Sequence, residues 1–167
     1  VGATFKMSKE DSTYWVTLNY FNGNFDATDG YYMSVAKIEE MKQEITANEM
    51  FEKVNSGNIL SLYINFDIGK STIKSESKKI VDELYAMLKN NPTLKIQIDG
   101  HTDNVGSAVS NKTLSEQRAA NVKTALVNKG ISADRIKTAG YGQDKPVANN
   151  SSEDGKAKNR RVEIKKQ

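Results

Sequence analysis

The stretch ESKKIVDELYAMLKNNPTLKIQI, residues 76–98, decides the fold because its hydrophobic spacing changes period partway along. Ile80, Val81, Leu84, Tyr85 and Leu88 fall on one stripe of a helix over 76–91, and Pro92 lies just past its end. Beyond the proline, LKIQI (94–98) alternates apolar and polar residues, the period of a half-buried strand. On the N-terminal side, ILSLYINF (59–66) puts Leu60, Leu62, Ile64 and Phe66 on one face of another strand. On the C-terminal side, NKTLSEQRAANVKTALVNKG (111–130) reads as a second helix ending at Gly130. RIKTAGYG (135–142) and NRRVEIKK (159–166) read as two further strands.

The order is therefore β-α-β-α-β-β. Each strand has one apolar face only, with Lys95, Gln97 and Asp99, or Arg161, Glu163 and Lys165, along the other. The helices should then cover one side of a mixed sheet, giving an α/β two-layer sandwich. Residues 143–158, QDKPVANNSSEDGKAK, are nearly devoid of apolar groups. A connection of that length is functional or hides a short helix.

Ahead of this domain, ATFKMS (3–8), STYWVTLNYF (12–21) and YYMSVAKI (31–38) are strand-like. Tyr14, Val16, Leu18 and Tyr20 alternate with Trp15, Thr17 and Asn19, and NGNFDATDG (22–30) is a turn-rich connection. A three-stranded meander is a poor independent domain, so it is expected to be the tail of a larger upstream domain or an extension resting on the second half. A short helix follows, with Thr46 and Glu49 spaced as a capping box and Gly57 as its stop. The expected division is residues 1–58 for the meander and short helix, and 59–167 for the sandwich.

Charge separates the same two parts. Residues 1–58 carry 5 Lys/Arg against 9 Asp/Glu, net −4, and residues 59–167 carry 19 against 12, net +7. A basic module of this kind is suited to an anionic partner. No apolar run approaches the roughly 18 residues of a membrane-spanning helix. Val1 opens directly onto GATFKMSKED, which reads as a mature or trimmed chain. With no cysteine there is no thiolate nucleophile, disulfide framework or cysteine zinc site.

In the second helix, Leu114, Ala119, Val122, Ala125 and Leu126 share a sector of about 140°, and Arg118 falls inside it. A guanidinium within an apolar stripe is costly unless it is paired or hydrogen-bonded. One reading is an internal salt bridge to Asp103 or Asp67. The other is a carboxylate receptor, since arginine presents a planar fork that matches a carboxylate at two points. Asp103 follows strand 94–98, at the strand edge where α/β sheets commonly bind ligands. A carboxylate and a guanidinium at one mouth can grip the ammonium and carboxylate of an amino acid centre.

Taken together, GHTDNVG (100–106), NKTLSEQRAANV (111–122), GYG (140–142) with Pro146, and NRRVEI (159–164) resemble the OmpA-like C-terminal domain. That family includes peptidoglycan-associated lipoproteins and flagellar stator subunits. The resemblance covers residues 59–167, while MKQEI (41–45) resembles OmpA-family proteins of Bacteroidetes-type bacteria. It implies the same β-α-β-α-β-β sandwich, and a non-covalent attachment to peptidoglycan through the diaminopimelate of the stem peptide. The family's motif positions fall on Asp103, Arg118, Asn111, Arg160 and Asp67. Val105 stands where the family often has Thr or Ala, so only a backbone role carries over there.

His101, the one histidine, is a poor basis for an enzyme or a metal site, because first-row metals usually recruit several His or Cys. A structural part such as a loop hydrogen bond is expected of it. Nucleic acid is disfavoured, since the aromatics are not interleaved with the basic residues as a stacking platform requires. Gly106, Gly140 and Gly142 are expected to be turn glycines. The expected protein is a periplasmic, non-enzymatic wall anchor without cofactor or metal, associated with the outer membrane through a part outside this chain. The rival expectation is an OmpA-like domain that mainly contacts a protein partner through residues 1–58.

Overall fold

The computed structural model describes residues 2–9, 12–21, 30–39, 45–67 and 69–167. The chain divides into two units, Val1–Lys42 and Gln43–Gln167.

In the first unit, β1 (Gly2–Lys9), β2 (Ser12–Phe21) and β3 (Gly30–Glu39) form an antiparallel meander in that order. Phe5 lies opposite Val16, and Val16 opposite Val35, which puts Phe5, Met7, Leu18, Met33 and Val35 on one exposed apolar face. The other face carries a hydroxyl contact between Thr4 and Thr17 (3.2 Å) and the Lys6 ammonium over the Trp15 ring. The turn expected over 22–30 lies outside the described residues apart from Gly30, and so does MKQEI apart from Ile45.

The second unit opens with α1 (Ala47–Asn55). Thr46 and Glu49 form the expected capping box, and Gly57 adopts the left-handed φ of +82° just past the helix end. The boundary differs from the expected 58/59, however, because α1 belongs to the core of the second unit. Met50 and Val54 are fully buried there, and the Ala47 amide donates to Glu83 Oε2 on the next helix at 2.8 Å. Four apolar residues on a nine-residue helix do not reveal which neighbour they will pack against. Met50→Ala is accordingly expected to destabilise the second unit by about 2–5 kcal/mol, checked by chemical denaturation.

The sheet of this unit runs β4 (Leu60–Leu62), β7 (Val162–Lys166), β5 (Ile96–Gly100), β6 (Ile136–Gly140). β5 and β6 are parallel, while β7 is antiparallel to both β4 and β5. Ile98 lies opposite Ile164, and Ile96 opposite Ile136, so one face is a continuous apolar surface. Packed into this core are α1, α2 (Lys78–Asn90) through Val81, Leu84, Met87 and Leu88, and α3 (Ala108–Asn128) through Ala119, Val122 and Leu126. The opposite face holds Gln97, Asp99, Glu163 and Lys165, with Lys165 Nζ 2.7 Å from Asp99 Oδ2.

Three departures from expectation have identifiable causes in capping and packing. α3 starts three residues before Asn111, because Ser107 caps it by accepting from the Ser110 amide at 3.1 Å. The 143–158 connection does hide a helix, α4 (Glu153–Asn159), with Ser152 as its cap. Asn159 ends that helix rather than opening a strand. Its buried carboxamide accepts from the Val147 and Ala148 amides and donates to Ala148 O and Asn150 Oδ1, replacing the missing apolar core with satisfied polar contacts. Gly140 is not a turn glycine either: it ends β6 beneath α3, where a methyl group would overlap the Glu116 amide, and Gly100 meets the Ser115 carbonyl in the same way.

Candidate functional site

Residues 101–107 leave the C-terminal end of β5 and turn into α3. Asp103 is buried at this mouth. Its Oδ1 accepts from the Val105 amide at 3.1 Å, an arrangement that folds the loop back on itself. Its Oδ2 accepts from Arg160 Nη1 at 2.7 Å. Asn111, also buried, points its amide group at Val105 O (3.1 Å), Asp103 O (3.3 Å) and Gln143 Oε1 (2.8 Å). The asparagine thereby joins the 103–106 loop to the segment after β6, and Val105 takes part through its backbone as expected.

Arg118 lies two helical turns beyond Asn111 on α3 and is half-buried. The salt bridge to Asp103 or Asp67 that one reading foresaw is not formed: among the described residues no carboxylate lies within 4.0 Å of its guanidinium, and Asp103 is engaged by Arg160 instead. Arg118 is held by other means. Its Nε donates to Lys70 O at 3.2 Å, and its Cζ lies 4.8 Å from the centre of the Phe66 ring. Burial pulls its pKa below the ordinary arginine value; the nearby Asp103 carboxylate opposes that shift and Arg160 adds to it. A guanidinium so placed stays charged, is partly stripped of water, and has its outer nitrogens available for an anion.

Four of the five expected residues thus share one electrostatic neighbourhood. Asp103, Asn111 and Arg160 are joined by hydrogen bonds, and Arg118 senses both Asp103 and Arg160. Asp67 is connected differently. Its carbonyl accepts from the Lys70 amide (2.9 Å) and its amide donates to Thr72 O (3.1 Å), so its backbone shapes the turn whose Lys70 carbonyl meets Arg118. Phe66, Lys70 and Gln143 were not foreseen. No local pattern in the sequence marks a residue that supplies only a ring face, a carbonyl or one amide oxygen.

His101 is buried and stacks on Tyr141, ring centres 5.4 Å apart at 17°. The expected loop hydrogen bond is made by its backbone, whose amide donates to Arg161 O at 3.0 Å. Neither ring nitrogen has a hydrogen-bond partner among the described residues, although Nε2 lies 3.4 Å from Glu163 Oε2. Burial, then the Arg161 charge, depress its pKa, against the opposing effect of Glu163 and Asp99. The unfolded chain therefore takes up this proton first. The stability held by the neutral ring is complete above roughly pH 6.5, and is lost as pH falls from there toward the folded-state value. Thermal unfolding between about pH 7.5 and about pH 5 should show this loss, and His101→Gln should flatten that part of the profile. Among the described residues, no group of three His, Cys, Asp or Glu is placed to hold a metal, and no helix is long and apolar enough to cross a membrane.

The second unit is an α/β domain whose four-stranded mixed sheet carries an Asp–Asn–Arg cluster at the mouth of β5. The chain belongs to the OmpA family, which matches residues 65–160. It is 34% identical over 137 residues to the probable lipoprotein YiaD of Escherichia coli, covering 81% of this chain and 63% of that one. It is 33% identical over 147 residues to the peptidoglycan-associated lipoprotein of Buchnera aphidicola, 84% of this chain and 82% of that one. Against outer membrane porin F of Pseudomonas fluorescens it is 40% identical over 104 residues, 62% of this chain, and spans only 32% of the porin. Among solved structures, the peptidoglycan-associated lipoprotein of Burkholderia pseudomallei superposes with a TM-score of 0.58 at 30% identity, over 64% of this chain and 89% of that one. The cell wall anchor of the type VI secretion system of Pseudomonas aeruginosa does so with 0.56 at 26%, over 64% and 78%.

Proposed function

We propose that the second unit binds peptidoglycan non-covalently through the diaminopimelate of the stem peptide, and that the protein anchors the outer membrane to the cell wall from the periplasm. The observation that carries this reading is Arg118: a charged, partly desolvated fork with no carboxylate partner among the described residues. Diaminopimelate in a stem peptide retains a free amino acid centre. Its carboxylate suits Arg118, and its ammonium suits Asp103, whose carboxylate oxygens can accept more than the two hydrogen bonds they already hold. The peptidoglycan-associated relatives support the ligand class. Binding without turnover is what a charge clamp of this kind does, since it positions no nucleophile against a bond.

The test is co-sedimentation with insoluble sacculi. The chain is expected to pellet saturably with diaminopimelate-type sacculi and poorly with lysine-type ones, because lysine lacks the second carboxylate and leaves Arg118 desolvated and unpaired. Equal pelleting with both wall types would remove the diaminopimelate assignment. Release of soluble muropeptides would overturn the non-enzymatic reading.

A further inference from the structure

Arg118 and Asn121 lie three residues apart on α3, on neighbouring positions of one helix face, and both hold the connection between Phe66 and Ile73. Arg118 Nε donates to Lys70 O at 3.2 Å, and Asn121 Nδ2 reaches the next residue, with Ser71 O at 2.7 Å and Ser71 Oγ at 3.0 Å. Asn121 is exposed and takes no part in the core. Its carboxamide is the side chain that fastens this connection to the helix at the residue beside Lys70. The Lys70 carbonyl in turn holds Arg118 at Nε, while Phe66 lies against the guanidinium, and among the described residues no hydrogen bond engages its two terminal nitrogens.

We infer that Asn121 is a positioning residue for the wall-peptide site, aiming Arg118 through the Ser71–Lys70 backbone; this rests on Arg118 being the carboxylate receptor. Loss of the carboxamide lets the Lys70 carbonyl move, and the fork then has to be ordered by the ligand itself, at a cost in affinity.

The experiment is a calorimetric titration of a soluble disaccharide-tripeptide ending in diaminopimelate into four chains of residues 1–167: the parent, Asn121→Ala, Arg118→Lys and the double variant. Arg118→Lys keeps the charge but has neither the Nε donor nor the fork. Asn121→Ala is expected to weaken binding about five- to tenfold with an unchanged unfolding temperature, and to change affinity less than about twofold in the Arg118→Lys background. Parent-like binding by Asn121→Ala, or an equal loss in both backgrounds, overturns the inference and leaves the site reading intact so long as Arg118→Lys has lost affinity. Parent-like binding by Arg118→Lys overturns the site reading itself, and the inference with it.

Discussion

Arg118→Ala is expected to lower affinity for diaminopimelate-type muropeptides by about 2–5 kcal/mol, roughly 30-fold or more, while leaving the fold intact. The size follows from what remains behind: a ligand carboxylate drawn into a partly dry mouth with no fork to receive it. The fold should tolerate the change because Arg118 is paired with no carboxylate among the described residues. It gives up one hydrogen bond to Lys70 O and its stacking on Phe66, contributions offset by removing a guanidinium from a partly buried position. Asp103→Ala should separate differently. Binding falls by a similar amount, but the Val105 amide loses its acceptor and Arg160 its partner, so stability falls too, by about 1–2 kcal/mol. Thermal unfolding of both variants beside a muropeptide titration at two salt concentrations reads both effects, the salt arm exposing any non-specific basic attraction. Two folded variants that bind like the parent would refute the site.

Gly100→Ala is expected to lower stability by about 3 kcal/mol, or the unfolding temperature by on the order of 10 °C. Gly100 ends β5 with α3 pressed against it, so a methyl group there overlaps the Ser115 carbonyl, a backbone atom that cannot rotate away. Relief requires α3 to move off β5, and α3 carries both Asn111 and Arg118. Ligand affinity should therefore fall with stability. Gly57→Ala is the comparison: its φ of +82° is strained for alanine, but nothing lies within 4 Å of the added methyl. It should cost only about 1 kcal/mol and leave binding unchanged. Equal losses at the two positions, measured by denaturation, would show that helix–sheet contact is not the cause.

Much of this architecture was legible because it rests on periodicity, and periodicity is written locally. The stripe of Val81, Leu84 and Leu88 and the alternation ending at Ile98 both appear in the core as expected. The Thr46–Glu49 capping box and the stop at Gly57 need only neighbouring residues, and both form. In two places where reading failed, the deciding partner lay beyond the few residues that a helical or strand period spans. α1 was assigned to the N-terminal part because its partner Glu83 lies on α2. Asn159 was placed in a strand because its four hydrogen bonds go to residues 147, 148 and 150.

The site divides along the same line. Residue types and spacing alone singled out Asp103 and Arg118, since an arginine in an apolar stripe and an aspartate at a strand end are anomalies visible in one dimension, whereas Asn111, Arg160 and Asp67 were indicated only by the resemblance to the family. Which charge pairs with which was decided only by tertiary structure. Asp103 takes Arg160, from the end of α4, and Arg118 is left to a carbonyl and a ring contributed from before α2. The reason is physical: helical and strand periods arise from bonds within a few residues, whereas an ion pair forms wherever packing of the whole chain brings opposite charges within about 4 Å.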